Sequence, residues 1–377
     1  MSRAVVVTGI GLVSSLGEGL EPHLQALAAP TLPRVDAERF APYPVHPMPA
    51  IEWDRQIAKK SDQRQMEPWQ RLGVYTAGLA LESAGLKDDA EAKSRMQMIV
   101  AAGGGERDYA VDGQILTGLR KAAEPGAFLN ERLMSDLRPT LFLAQLSNLL
   151  AGNISIVHGV TGASRTFMGE EMAGVDALRI AQARIASGQV DTMLVGSSYN
   201  AERHDSLLVY ELGGYLWKRP FVPVWDRPAQ GGGLILGSGA GFLVLEAQEQ
   251  AEGRGATIAA RLLSVAGART RRDAGALTAT LERLWEESGA PAGATILSGA
   301  TGVAAPTREE QNALAKLAAN STVHSVGDLL GHPLEAAAPV AVALGAALVA
   351  SGQAAEVVAT SVGHRRGEGL VRVARPH

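Results

Sequence analysis

The tetrapeptide Ala186-Ser187-Gly188-Gln189 occurs twice in the chain, the second time as Ala350-Ser351-Gly352-Gln353. Each copy follows an alanine-rich apolar segment with helical spacing, and each precedes a β-branched run that predicts a strand. The predicted helices cover residues 174–185 and 338–349, the predicted strands cover 192–195 and 357–360, and Ser197 and Ser361 follow in the same register. Because helix, turn, strand and serine recur in one order, the sequence indicates an internal duplication.

Helix–turn–strand units in both halves favour an α/β fold with a mostly parallel sheet. We expect an N-terminal half over residues 1–246 and a C-terminal half over 247–377, because polar residues interrupt the apolar pattern at that point. The offset between the copies places His332 opposite position 168, one helical turn before Glu171. A pseudo-twofold arrangement would bring both residues to one pocket between two helix N-termini, where unpaired N–H groups favour negative charge.

Local patterns predict several further elements. The predicted helices cover residues 70–85 and 140–150, and the predicted strands cover 5–8, 98–102 and 155–158. Gly9-Ile10-Gly11 predicts a turn after the first strand. It does not indicate a dinucleotide site, because Ser14 stands where the third glycine of that fingerprint is required.

Composition limits the classes of function. The chain has 377 residues, of which 46% are hydrophobic and 20% charged, as is typical of a globular protein. Its net charge of −4 argues against nucleic-acid binding. With no apolar run long enough for a membrane span and no signal peptide before the first strand, we expect a cytoplasmic protein. The absence of cysteine excludes disulfides and thiolate ligands, and no motif indicates a metal or a cofactor.

One segment carries a resemblance to a known family: Gly162-Ala163-Ser164-Arg165-Thr166-Phe167-Met168-Gly169-Glu170-Glu171-Met172-Ala173-Gly174. It resembles the nucleophile turn of the β-ketoacyl synthases, in which a Gly-Pro-Ser strand precedes a cysteine and then a glycine three residues later. Gly162, Ser164 and Gly174 match that pattern, and Glu171 stands at the cysteine position. A thiolate attacks thioesters well, whereas a carboxylate is a weak nucleophile whose product would be a labile anhydride.

The resemblance extends over nearly the whole chain. The opening strand at 5–11, the glycine-rich stretch at 225–241 and its continuation through 243–246 and 254–256 are similar to the corresponding family segments. The resemblance implies a thiolase-like fold, in which two pseudo-symmetric halves form a five-layered αβαβα sandwich.

The catalytic positions of the family are degenerate in this chain. His332 matches the second family histidine, but Thr301 stands where the first belongs, and Gly327 replaces the lysine before His332. The C-terminal gatekeeper loop is reduced to Gly363-His364-Arg365-Arg366-Gly367-Glu368. In the family, the two histidines stabilise the charge that develops on the thioester oxygen while malonyl decarboxylates. We therefore expect no catalytic residues for condensation, and Glu171 would repel a malonyl carboxylate.

The resemblance points to a chain length factor of the polyene or aryl-polyene kind. Such a subunit lacks the cysteine, pairs with a catalytic ketosynthase in a type II polyketide system and closes the acyl tunnel. The implied partners are that ketosynthase, in a heterodimer with acyltransferase activity, and transiently an acyl carrier protein. Candidate interface or tunnel residues are Arg165, Phe167, Leu141, Phe142 and Leu146. Core packing is the alternative for the apolar residues, and Arg165 is expected to be buried against a carboxylate near the dimer axis.

Two other functions stay open. Some cysteine-less ketosynthase domains decarboxylate malonyl carriers and supply a starter unit, and His332 would be consistent with this activity. A thioester hydrolase or acyltransferase could use Ser197, Ser361 or His364, although neither serine lies in a GxSxG elbow. Glu171 itself could simply stabilise the start of its helix.

Overall fold

The computed structural model describes residues 2–29, 32–136 and 142–376. Its strands are β1 (Val5–Ser14), β2 (Gly17–Glu18), β3 (Val45–His46), β4 (Gln97–Ala101), β5 (Ser164–Phe167), β6 (Thr192–Tyr199), β7 (Leu236–Gly237), β8 (Gly239–Ala247), β9 (Ala260–Ala268), β10 (Thr295–Ser298), β11 (Val323–Ser325), β12 (Glu356–Val362) and β13 (Glu368–Ala374).

The helices alternate with these strands along the chain. They are α1 (Glu21–Ala28), α2 (Lys60–Gln65), α3 (Pro68–Ser83), α4 (Ala90–Arg95), α5 (Tyr109–Leu119), α6 (Pro125–Ser135), α7 (Leu149–His158), α8 (Glu171–Ala186), α9 (His204–Leu212), α10 (Gln248–Gly253), α11 (Ala276–Ser288), α12 (Ala304–Leu317), α13 (Val326–Leu330) and α14 (Ala337–Ala350). Short 3₁₀ helices cover Trp53–Arg55, Arg227–Gln230 and Leu334–Ala336. Within the described ranges, no helix has the length and apolar character needed to cross a membrane.

The large sheet repeats one strand order in its two halves. The order is β11-β10-β12-β13-β9-β1-β8-β6-β4-β5, with β2 added beside β1. Each half has parallel pairs at its outer end, β4 with β5 and β6, and β10 with β11 and β12, followed by antiparallel strands towards the centre. The predicted α/β fold with two pseudo-symmetric halves is confirmed, while the boundary between residues 246 and 247 stays a prediction. The expectation of a mostly parallel sheet is wrong, because antiparallel pairs join the central strands.

The helices α8 and α14 form the central layer. Both contact strands of the two halves, whereas α3 packs outside β1, β8 and β6, and α11 and α12 pack outside β9, β12 and β13. The chain therefore forms five layers, helix–strand–helix–strand–helix. The α14 side chains are buried on all sides, as expected for a helix between two sheets.

The two copies of the Ser-Gly-Gln turn share one backbone conformation. Gly188 and Gly352 follow the two central helices with φ values of +76° and +78°. Glycine adopts this left-handed conformation without a steric penalty and ends a helix there. The sequence duplication thus marks the same helix terminus in both halves.

The predicted strand over 155–158 is wrong. Of the predicted helix over 140–150, residues 140 and 141 lie outside the described residues, residues 142–143 and 149–150 are helical, and a turn separates them. In the described part of that region, the long helix begins at Leu149 and continues to His158. Its buried residues Leu150, Ile154 and His158 are spaced by four, which is helical. The β-branched residues at 154–157 suggested a strand, but tertiary packing of this face against α3 determines the helix.

The predicted turn at Gly9-Ile10-Gly11 is also wrong, because β1 continues to Ser14. The two glycines instead allow α3 to approach the strand. A Cβ at Gly9 would lie 2.2 Å from the Ala80 carbonyl oxygen, and one at Gly11 would lie 2.1 Å from that of Thr76. The helix predicted over 70–85 is confirmed as α3, which begins with a capping box between Glu67 and Gln70.

The strand β5 forms one end of the sheet. It pairs in parallel with β4, and no other strand of the described residues lies on its outer edge. Ser164 and Arg165 are exposed there. In the single chain Arg165 is open to solvent on this edge strand. The expectation that it reaches a carboxylate near a dimer axis stays a prediction.

Candidate functional site

Helix α8 begins at a strained turn. Glu170, its N-cap, has φ 57° and ψ −140°, a conformation that non-glycine residues rarely adopt. The next residue, Glu171, is the first of the helix and is only 1% exposed. The turn therefore points one carboxylate into the protein and leaves the neighbouring one, Glu170, partly exposed.

Three N–H groups converge on one oxygen of Glu171. Its Oε1 accepts hydrogen bonds from His332 Nε2 at 2.9 Å and from His364 Nδ1 at 2.8 Å. The backbone N–H of His364 adds a third bond at 3.2 Å. Burial alone raises the pKa of Glu171, but the hydrogen bonds from the two histidines outweigh it and hold the pKa well below its usual range. The side chain is thus an ionised carboxylate.

Both histidines come from the C-terminal half of the chain, whereas Glu171 belongs to the N-terminal half. His332 follows Gly331, whose φ is +69°, and its backbone N–H bonds to the Ile235 carbonyl at 2.8 Å. His364 lies in the turn between β12 and β13, which the hydrogen bond from Gly363 N–H to the Gly367 carbonyl closes at 2.7 Å. The structure brings His332 and Glu171 together, as the offset of the two copies predicts.

Sequence reasoning missed the part that His364 plays. It treated residues 363–368 as a reduced loop and named His364 only as a candidate of a hydrolase. In the structure the His364 ring packs edge-on against Tyr210 and Tyr215, with ring centres 5.3 and 4.7 Å away. The available signal was the alignment of this loop with the gatekeeper loop, which places His364 beside the nucleophile position.

Glu170 and Arg365 form the outer side of the cluster. Arg365 Nη2 donates to Glu170 Oε1 at 2.9 Å, and His364 Nε2 lies 3.7 Å from the same oxygen. Glu170, Glu171 and His364 each offer one atom that could ligate a metal ion, and these atoms lie within 4.8 Å of one another. No sequence motif indicated this group.

The other degenerate positions lie outside the cluster. Thr301 is buried, and its Oγ1 accepts the Val303 N–H at 3.2 Å, so the side chain caps the local turn. Gly327 is buried in α13, where an added Cβ would lie 3.1 Å from the Ala300 carbonyl oxygen. Neither residue supplies a donor to the Glu171 carboxylate.

The two serines of the hydrolase hypothesis are not placed as nucleophiles. Ser197 is buried in β6 and donates to the Ala101 carbonyl at 2.6 Å. Ser361 is buried within β12. In the described residues no hydrogen bond joins either hydroxyl to His364, whose Nδ1 bonds to Glu171 instead.

A cavity of about 330 Å³ lies beside the cluster. Tyr210, which contacts the His364 ring, is part of its wall, together with Glu335, Arg203 and Gln145. Burial raises the pKa of Glu335 to about 7, and the charge of Glu171 contributes in the same direction. The cavity wall therefore contains a carboxyl group that titrates near neutral pH, which the sequence did not indicate.

The interface or tunnel candidates differ in their exposure. Phe142 is 56% exposed, Leu146 and Phe167 are half-buried, and Leu141 lies outside the described residues. The segment that contains Phe142 touches the end of β5, since Ser147 Oγ lies 3.1 Å from Met168 Sδ. It also borders the cavity through Gln145.

The family profile described as β-ketoacyl synthase, N-terminal domain, matches residues 2–251. The chain belongs to the β-ketoacyl synthase family. Curated relatives include the 3-oxoacyl-[acyl-carrier-protein] synthase 2 of Vibrio cholerae serotype O1, 27% identical over 271 residues, which are 69% of this chain and 62% of that protein. The corresponding protein of Rhizobium meliloti is 26% identical over 280 residues, 69% of this chain and 63% of the relative. The matched region thus spans less than two thirds of these relatives.

Solved structures share the fold over their full length. The ishigamide ketosynthase/chain length factor superposes with a TM-score of 0.80 at 21% identity, covering 100% of both chains. A β-ketoacyl synthase from Burkholderia phymatum STM815 gives 0.80 at 18% identity, also covering 100% of both chains. A type II polyketide acyl-carrier protein in complex with its ketosynthase gives 0.78 at 17% identity, with the same coverage. These similarities show the thiolase-like ketosynthase fold.

Proposed function

We propose that the chain is a chain length factor, a subunit without condensing activity that pairs with an active ketosynthase and shapes its acyl tunnel. The observation that carries the proposal is the Glu171 carboxylate, buried at the nucleophile position with three N–H donors on one oxygen. The ketosynthase family membership and the similarity to a ketosynthase/chain length factor structure support it.

The chemistry of Glu171 opposes condensation in two ways. First, an ionised carboxylate lacks the nucleophilicity of a thiolate towards thioesters. Second, N–H groups that converge on one point stabilise an oxyanion only if that point is free for the substrate. Here Glu171 Oε1 occupies it permanently, held by His332 and His364. The chain's own side chain fills the place of the reacting oxygen.

A second subunit would supply what this chain lacks. The outer edge of β5 presents unpaired backbone groups, a ready template for another strand. Exposed apolar side chains lie close by, Phe142 and Met168 among them. Such a patch on one chain favours burial against a partner. We infer that a catalytic ketosynthase covers this surface and that an acyl carrier protein visits the pair transiently.

Malonyl-carrier decarboxylation is the second candidate function. Two histidine side chains do converge at the site, which is the observation in its favour. Against it, the negative charge of Glu171 repels a malonyl carboxylate, and the histidine N–H groups are already engaged. The chain-length function is therefore the better supported of the two.

Co-expression with neighbouring ketosynthase candidates tests the proposal. We expect one candidate to co-purify in a 1:1 complex that elongates acyl carriers, whereas the chain alone converts none. Release of acetyl carrier from malonyl carrier by the chain alone would favour decarboxylation. Failure of every candidate ketosynthase to bind would remove the pairing on which the proposal rests.

A further inference from the structure

Two polar side-chain atoms of the cluster are unpaired within the described residues. Glu171 Oε2 and His364 Nε2 are buried and have no hydrogen-bond partner among the described residues. Both side chains are 1% exposed, so bulk water does not compensate for the missing bonds. Buried polar atoms are satisfied in the great majority of cases, and an exception suggests an ion or a group that belongs there.

The surroundings of the His364 ring leave one nitrogen available for a ligand. Its Nδ1 is engaged with Glu171 Oε1 at 2.8 Å, so Nε2 is the ring nitrogen without a hydrogen-bond partner. Nε2 lies 3.7 Å from Glu170 Oε1. A cation bound here would lie beside one ring nitrogen and two carboxylates.

The distances are within reach of metal coordination. The candidate ligand atoms of Glu170, Glu171 and His364 lie within 4.8 Å of one another. Zinc bonds of about 2.0–2.2 Å place tetrahedral ligand atoms about 3.3–3.6 Å apart, so ligand atoms of these three residues must approach one another by about 1 Å to bind one ion. His332 donates a hydrogen bond to Glu171, and Arg365 donates one to Glu170. Residues that ligate a metal are commonly oriented by such additional hydrogen bonds.

We propose that Glu170, Glu171 and His364 bind a divalent transition-metal ion of the zinc type. One imidazole and two carboxylates suit zinc, whereas calcium and magnesium prefer oxygen ligands alone. The ion would tie the turn that follows β12 to the N-terminus of α8. The proposal revises the sequence-based expectation of no metal, and it does not depend on the proposed function, because it requires neither a partner nor an acyl group.

Metal titration of the full chain tests the site. The purified chain is freed of metal with a chelator and titrated with Co²⁺, followed by its visible spectrum, and with Zn²⁺, followed by calorimetry. We expect one ion per chain and a rise in melting temperature. Glu170→Gln and His364→Gln should each weaken binding at least tenfold. His324→Gln, which alters a half-buried histidine next to β10, should bind like the wild type.

The outcomes separate a metal from a proton. Binding that is absent, or that survives both ligand substitutions, overturns the proposal. Nitrogen NMR gives a further test. If both ring nitrogens of His364 still carry protons in excess Zn²⁺, the proposal is overturned, because a proton then occupies the position of the metal ion. If circular dichroism shows that His364→Gln does not fold, Glu170→Gln decides alone. The Glu170 side chain is 22% exposed, and Arg365, its ion-pair partner, is 51% exposed, so we expect this variant to fold.

Discussion

Glu171 determines the chemistry of the candidate site. By the resemblance to the β-ketoacyl synthases, its carboxylate stands at the position of the family's cysteine, and His332 and His364 donate hydrogen bonds to it. The strained Glu170 backbone and the edge-on tyrosine contacts of His364 hold this arrangement in place. Glu171 is thus held in place by the surrounding side chains.

Truncation of this side chain should be costly. We expect Glu171→Ala to lower the free energy of unfolding by about 2–4 kcal/mol, because it leaves three buried N–H donors without an acceptor. Denaturant unfolding measures the change. Glu286→Ala, on an exposed face of α11, is the control and should change stability by less than about 0.5 kcal/mol. Equal stability of the two variants would show that Glu171 is only a solvated helix residue.

Phe142 and Leu146 belong to the segment between the cavity and the end of β5. We expect Phe142→Ala and Leu146→Ala to alter the length of the product that the reconstituted pair releases, because each widens the space beside the tunnel. Mass spectrometry of the product measures the change. Leu32→Ala, which removes a side chain that is 92% exposed elsewhere, should leave the length unchanged. If both substitutions merely dissociate the pair, the tunnel assignment fails.

At the scale of elements, the edge strand β5 connects the fold to its proposed partner. Met98 N–H bonds to the Ala163 carbonyl and Ala102 N–H to that of Phe167. Because alternate residues of a strand point to opposite edges, the backbone N–H of Thr166 faces the free side. A substitution at Thr166 can therefore change the hydrogen-bonding groups on the outer edge of β5 without changing its pairing with β4.

A proline at that position should block pairing and leave the chain folded. We expect Thr166→Pro to abolish the complex with the ketosynthase in size-exclusion chromatography, since proline lacks the outward N–H. Thr166→Val keeps the N–H and should keep the complex. An intact complex of the proline variant would contradict strand pairing at this edge.

The buried Glu310 links α12 to two strands of the second half. It accepts hydrogen bonds from Ser298 at 2.9 Å and from Thr360, and burial raises its pKa to about 7. A carboxyl group whose pKa is higher in the folded state stabilises the fold at low pH. That contribution is complete below about pH 4.5 and is lost as the pH rises through 7.

Stability should therefore fall with pH in a way that Glu310 controls. Between pH 5 and pH 8 we expect the wild type to lose about 1–3 kcal/mol more unfolding free energy than Glu310→Gln, which does not titrate. Chemical denaturation at both pH values measures this difference. Parallel pH profiles of the two proteins would contradict a raised pKa at this position.

At the scale of the whole molecule, the duplicated architecture was predictable because the repeated turn needs glycine at the end of each central helix. The meeting of Glu171 and His332 followed from the same offset. The C-terminal part of α7 was not predictable, because β-branched residues occur in both strands and helices and only packing against α3 decides between them. His364 was missed because its segment resembles only a reduced gatekeeper loop, and the folded turn between β12 and β13 is what brings the ring to Glu171.

The most direct test of the account is mass spectrometry of the purified chain after incubation with acyl and malonyl carrier thioesters. The account predicts an unmodified polypeptide, no elongated product and no released carbon dioxide, with elongation restored when the catalytic ketosynthase is added. A covalent acyl adduct on this chain, or elongation by the chain alone, would contradict it.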